Sequence, residues 1–285
     1  MAVPFKIDLD GKVVLVTGGG GVLCGCMARA LAECGARVAI ADLRKDAADA
    51  VAAAIGGAGG TAMGVACNVL ERDSLEAAER EVRAAYGPVD ILVNGAGGNH
   101  PKGTTSREFL EKADLEASAA DVVTFYDLDP DGISFVFNLN VLGTLLPTQV
   151  FTRAMAERGT GVVINISSMN AFTPLTKIPA YSAAKAAVSN ITQWLAVHFS
   201  KVGVRVNAIA PGFFLTDQNR ALLVNEDGTT TARGGKIIGQ TPLGRYGDPS
   251  DLVGALLWLV SDEAAGFVTG TVIPIDGGFS AYSGV

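Results

Sequence analysis

Histidine is almost missing from this 285-residue chain: there are two, His100 and His198, and only four cysteines, Cys24, Cys26, Cys34 and Cys67. None of the six stands at the short spacings that zinc sites use, so the chain offers no metal-ligand set. The cysteines lie among apolar and small neighbours, where thiols serve as buried hydrophobes of a reducing compartment rather than as a disulfide framework. A basic surplus is lacking too, since 22 Lys and Arg face 29 Asp and Glu for a net charge of −7. Gripping phosphate backbones needs a basic face, so nucleic acid is excluded as a partner. The strongly apolar run 252–260 is half a membrane span. The opening MAVPFKIDLDGK has no cationic end followed by an apolar core, so no leader is expected. Together these features point to a cytoplasmic location with no membrane partner.

What the chain does have is glycine, 35 of it, without the three-residue period of collagen. With 49% hydrophobic and 18% charged residues it has ample material for a core and is too apolar for disorder. Apolar, β-branched runs at 12–17, 37–42, 61–67, 90–93, 161–166, 204–210 and 271–275 read as strands buried on both faces. Helical patterns lie between them, at 27–34, 45–55, 71–86, 131–157, 180–201 and 249–261. Seven strands separated by helices predict an α/β fold, a doubly wound parallel sheet flanked by helices, in one domain over 1–285. Two connections, about 98–130 and 212–240, are too long for plain loops and predict lids or elements of their own.

Glycines 18 to 21, followed by Val22, Leu23, Cys24 and Gly25, stand where the first strand turns into the first helix. Glycines there allow a tight turn and let helix N-terminal amides approach a pyrophosphate. Asp42 ends the second strand, where a carboxylate accepts from adenosine ribose hydroxyls and repels a 2′-phosphate. This favours NAD, while Arg44 and Lys45, just beyond Leu43, leave NADP as the lesser alternative. Tyr181 and Lys185 are four apart and share a helix face. Ser168 ends the strand GVVINIS, and Asn140 lies in the helix before it. In open α/β sheets, ligands sit at the carboxyl ends of strands.

These residues, with Asn68-Val69, Asn94-Gly95-Ala96-Gly97, Pro211-Gly212, Phe214 and Thr216, and Asp276-Gly277-Gly278, resemble the short-chain dehydrogenase/reductase family over nearly the whole chain. The resemblance implies a Rossmann-type fold. It implies a cofactor site from Gly18, Gly21, Val22, Leu23, Asp42, Leu43, Asn68, Val69, Asn94, Ala96, Gly97, Tyr181, Lys185, Pro211, Gly212, Phe214 and Thr216. It further implies Tyr181 as acid/base, Lys185 as the cation that lowers its pKa and holds the nicotinamide ribose, and Ser168 on the substrate oxygen. Asn140 would hold a water linking Lys185 to solvent. The pattern departs from the family at four places: Val22 and Cys24 stand where its second and third glycines belong, Asn68 replaces an Asp, and Gly95 replaces an Asn.

The segments 97–105, 138–151, 166–185 and 210–220 are similar to a bacterial subgroup of that family that interconverts D-mannonate and D-fructuronate. That implies a sugar acid as small-molecule substrate. A small polar anion needs cations and hydrogen-bonding groups near Tyr181, for which His100, Lys102, Asn170, Lys177 and Arg220 are the candidates alongside Ser168. Phe213 and Phe214 are expected against the nicotinamide, and His198 in a structural role. Alternatives are another keto-sugar acid or a polyol as substrate, and, in a different class, a nucleotide-sensing module without catalysis. The family resemblance also implies a homotetramer or homodimer through the helices carrying Asn140 and Tyr181.

Overall fold

A computed structural model describes residues 7–116, 121–216 and 219–284. The β-branched runs form the sheet: β1 (Val13–Thr17), β2 (Arg37–Asp42), β3 (Thr61–Ala66), β4 (Ile91–Asn94), β5 (Gly161–Ile166), β6 (Val204–Pro211) and β7 (Val272–Ile275). All neighbours are parallel, in the order β3-β2-β1-β4-β5-β6-β7. Successive side chains of a strand face opposite ways, so β1 supplies both layers. Val14 and Val16 pack with Met27, Leu31, Val51 and Leu256, while Val13 and Leu15 pack with Leu75, Val82, Phe151 and Leu195. The first layer is closed by α1 (Val22–Glu33), α2 (Lys45–Gly57) and, late in the chain, Val253–Val260. The second is closed by α3 (Arg72–Tyr86), Gly143–Arg158 and Pro179–His198. The doubly wound sheet expected from the sequence is therefore the fold. Its order reverses between β1 and β4, where a crevice opens at the carboxyl ends.

The helix expected over 131–157 is not continuous. It consists of α4 (Pro130–Phe137), a π turn at Asn138–Leu142, and α5 (Gly143–Arg158). The reason is local: the Asn140 amide donates to Val136 O at 2.8 Å, and a Thr at each of 144, 148 and 152 donates to the carbonyl four residues back. Such side-chain bonds compete with the helical ladder and bend it. The run Pro130–Arg158 is the helix among the described residues that is long and apolar enough to cross a membrane, with mean hydropathy 1.3. In the fold α5 packs on α3 and β4, and the run carries the fully buried Asn140. The next helix, α6 (Pro179–His198), holds Tyr181 and Lys185 near its Pro-started N-terminus. The two long connections do carry elements of their own. The first has 3-10 turns at Pro101–Gly103, Lys112–Leu115 and Phe125–Asp127, and the second has the short helices α7 (Arg220–Leu223) and α8 (Ala232–Gly239). Residues 1–6, read above for a leader, lie outside the described residues.

Candidate active site

The glycine turn follows β1. Gly18 has φ +63°, a backbone that side chains rarely adopt, and a β-carbon there would stand 2.9 Å from Ala96 Cα. Thr17 Oγ1 accepts from the N–H groups of Gly95 and Ala96 at 3.1 and 3.3 Å, tying this turn to the end of β4. Gly21 begins α1 without any side-chain cap, and no acidic residue sits in the first turn. A twelve-residue helix thus presents bare N-terminal amides and its positive dipole end, which suits an anion. The departure at Cys24 is matched by the departure at Gly95, because a β-carbon on Gly95 would overlap Cys24 Sγ. The thiol fills space that the family pattern gives to the other residue. Burial pushes Cys24 up to about 12, leaving it a packing group.

Asp42 faces this turn. Its Oδ2 accepts from Gly20 N–H at 3.1 Å and its Oδ1 from Arg44 N–H at 3.0 Å. Leu43 is exposed beside it. Lys45 is committed to Asp49 at 2.5 Å, whereas Arg44 has no ion pair among the described residues. The Asn68 amide is engaged within its own turn, accepting from Leu70 N–H and donating to Glu71 Oε1. One N–H of its amide and a lone pair of its oxygen remain for an adenine. Val69 is buried at the start of α5, against Gly143.

Two residues expected at the cofactor have their side chains engaged in packing. Asn94 is 2% exposed, and its amide donates to Thr148 Oγ1 and Asn165 Oδ1, both at 2.9 Å. It braces β4 against β5 and α5, because its side chain alternates into the layer beneath the sheet rather than toward the crevice. Phe214 is 3% exposed within the core, its ring pressed on Gly247. The Phe213 ring instead meets Phe279 edge-on at 5.3 Å. Pro211 ends β6, and Gly212 leaves no room for a side chain because a β-carbon would stand 2.6 Å from Asp276 Cα. Thr216 N–H is capped by Asn219 at 2.8 Å.

Tyr181, Lys185, Ser168 and Asn140 do converge. Lys185 is 4% exposed; its Nζ donates to Ile166 O at 2.8 Å and stands 5.6 Å from the centre of the Tyr181 ring. Burial pushes the Lys185 ammonium down to about 8. Burial also pushes the Tyr181 phenol up to about 12, against a hydrogen bond from Ser168 that favours its charged form. Asn140, reached through the π turn, accepts from Gly98 N–H at 3.3 Å and donates to Gly98 O at 2.7 Å. Ser168 Oγ accepts from Asn170 N–H at 3.3 Å.

The substrate candidates separate by what already occupies them. Lys102 is paired with Asp129 at 2.9 Å on the surface. His100 Nδ1 accepts from Lys102 N–H at 3.2 Å, and its ring lies 5.1 Å from that of Phe135. Lys177 and Arg220 have no ion pair among the described residues. Lys177 is the non-glycine residue there with positive φ, +72°, and its carbonyl accepts from Thr105 N–H at 2.8 Å. Asn170 is buried with Oδ1 lacking a partner. His198 stacks on Trp194 at 4.6 Å, at the exposed end of α6. Sequence reasoning missed Thr17, whose signal was its place at the end of β1. It also missed the ion pair of Glu108 with Lys236 at 3.1 Å, which joins the two long segments across 128 residues of chain.

This parallel sheet, its glycine turn and its Tyr–Lys–Ser–Asn cluster define a class, and the chain belongs to it: the profile of the short chain dehydrogenase family matches residues 12–227. Among solved structures it is similar to a Haemophilus influenzae protein, provisionally named a D-mannonate oxidoreductase and determined with bound NAD. The two share 53% identity over the full length of both chains, with a TM-score of 0.92. Among curated proteins it is 54% identical to an uncharacterized oxidoreductase of Haemophilus influenzae, covering 98% of this chain and 96% of that one. It is 50% identical to the uncharacterized oxidoreductase UxuB of Bacillus subtilis, covering 99% and 100%.

Proposed function

We propose that the chain transfers hydride between NAD and a keto-sugar acid, interconverting D-fructuronate and D-mannonate. The observation that carries this reading is the full-length likeness to the Haemophilus influenzae protein solved with NAD, joined to an intact Tyr181–Lys185–Ser168–Asn140 cluster. The residues present fit a dinucleotide: an uncapped helix N-terminus, a turn whose glycines a β-carbon would crowd, and a carboxylate at the end of β2.

Bound NAD supplies or accepts the hydride. The first turn of α1 and Gly18 to Gly21 hold the pyrophosphate, and Asp42 holds the adenosine ribose while opposing a 2′-phosphate. Lys185 holds the nicotinamide ribose, and its charge favours the phenolate of Tyr181. In reduction Tyr181 gives its proton to the carbonyl oxygen as the carbon takes hydride, and Ser168 hydrogen-bonds that oxygen as charge develops. In oxidation Tyr181 is the base. Protons return to Tyr181 by way of Lys185 and the side of Asn140. Lys177 and Arg220 offer cations without an ion pair among the described residues for the carboxylate, with the surface-paired Lys102 as a further one and Asn170 and His100 for hydroxyls.

The same reading makes the enzyme a cytoplasmic homo-oligomer. Support comes from apolar side chains left exposed on the helices in question, Phe135, Phe137 and Leu142 around Asn140 and Trp194 and Val197 on α6. The deciding assay offers D-fructuronate, tagaturonate and 5-keto-gluconate with NADH and with NADPH. Turnover of D-fructuronate with NADH well above the others is expected; preference for another acid or for NADPH overturns the substrate or cofactor assignment.

A further inference from the structure

Positive φ is costly for any residue with a β-carbon, and glycine escapes that cost. Among the described residues every backbone of this kind belongs to glycine except one, Lys177 at φ +72°. It lies in the segment that leads from the turn after Ser168 into α6, and neighbours on both sides hold it there. Its carbonyl accepts from Thr105 N–H at 2.8 Å, in the first long connection. Two residues on, Pro179 starts α6 and restricts Ile178, whose carbonyl accepts from Ser182 N–H at 3.1 Å. Gly103 seals the same junction, since a β-carbon on it would touch Ala180 Cβ at 3.6 Å.

These contacts explain how the strained backbone persists, but not why a lysine occupies it. Glycine would keep the carbonyl and its bond to Thr105 and would relieve the strain. What lysine adds at this position is its side chain alone. That side chain is half-buried and has no ion pair among the described residues, four positions before Tyr181. A partly desolvated ammonium without a counter-charge suits an anion. The other cations considered for the substrate differ in setting. Lys102 is paired with Asp129 on the surface, and Arg220 is exposed at the start of the four-residue α7.

We propose that Lys177 is the specificity-determining cation of the site, carried on a strained turn so that its ammonium receives the substrate carboxylate. The inference rests on the sugar-acid reading given above. It assigns to one residue the preference for an acid over the matching uncharged ketose. It also sets stability against selectivity at residue 177, because removing the side chain relaxes the turn and takes away the anchor together.

The test compares wild type, Lys177→Met and Lys177→Gly as full-length enzymes with NADH. For each, kcat/KM is measured for the keto-sugar acids named above. It is measured also for the ketose in which a hydroxymethyl replaces the carboxylate, D-fructose for D-fructuronate. The wild type should prefer the acid. Lys177→Met keeps a β-carbon on the strained backbone and loses the charge, so the preference should fall roughly ten- to hundredfold. Its thermal midpoint should stay within about 1 °C of wild type. Lys177→Gly should lose the preference to the same extent while its midpoint rises by about 2 °C or more. If the wild type prefers no acid, the sugar-acid reading falls and takes this inference with it. If the wild type prefers an acid and both variants retain that preference, only the assignment to Lys177 is overturned. A midpoint that falls in Lys177→Gly overturns the opposition of stability and selectivity.

Discussion

Removing the Asp42 carboxylate tests the cofactor site most directly, because its two oxygens do different work. Oδ2 accepts from Gly20 N–H in the phosphate turn, and Oδ1 accepts from Arg44 N–H at the head of α2. In Asp42→Ala the turn loses its brace and the adenosine ribose loses its acceptor. A hydrogen bond to a charged group is worth about 1.5–3 kcal/mol, so NADH should bind roughly ten- to hundredfold more weakly. NADPH loses the same brace but is also relieved of a like charge, and Arg44 stands close by without an ion pair among the described residues. Its affinity should hold or rise, so the NADH-to-NADPH ratio falls by at least the factor lost for NADH. Asp42→Asn separates the two effects: it keeps an acceptor for the turn and drops the repulsion, so NADPH should gain more than in Asp42→Ala. Fluorescence titration of the reduced cofactors with wild type and both variants measures all six constants. If both cofactors weaken equally in Asp42→Ala, Asp42 only braces the turn and the discrimination argument is wrong.

Tyr181→Phe keeps the ring and removes the acid, so kcat should fall about 10²–10⁴-fold while NADH binding persists; comparable turnover would refute the acid/base assignment. Lys185, held near 8 by burial, is charged below that pH and neutral above it. Ribose oxygens favour the charged form, so NADH affinity should decline as pH rises through about 8, with proton uptake on binding. Calorimetry in buffers of different ionisation enthalpy reads this, and proton release would contradict it. Lys177→Ala or Arg220→Ala should raise KM for a sugar acid roughly tenfold or more and leave an uncharged ketose little changed. If neither does so, the carboxylate is held elsewhere.

How far a residue could be read from sequence depended on how local its cause is. The strands were legible because a sheet covered on both faces demands continuous apolar runs, and Tyr181 and Lys185 because one helix turn separates them. The π turn at Asn138–Leu142 was hidden, since amphipathic periodicity is blind to one displaced hydrogen bond. The packing of the Asn94 and Phe214 side chains was hidden for a related reason. A motif tells which residues stand near a cofactor but not which side of the sheet each side chain takes, and β4 and the segment after β6 send these two into packing. The pairing of Lys102 with Asp129 was not legible because the two are distant in sequence. Cys24 and Gly95 looked like two separate irregularities until their contact showed them to be one exchange of volume.

The Glu108–Lys236 pair has a bearing on traffic through the cleft. Its side chains are 36% and 69% exposed, a setting in which an ion pair adds little to stability and is screened by salt. The two long segments, expected from the sequence to cover the substrate, are thus fastened by a bond that solvent competes for continuously. Such a fastening favours brief occupancy and quick exchange over long confinement of whatever is bound. Ionic strength then becomes a handle on product escape, one that leaves the buried proton chemistry beneath untouched.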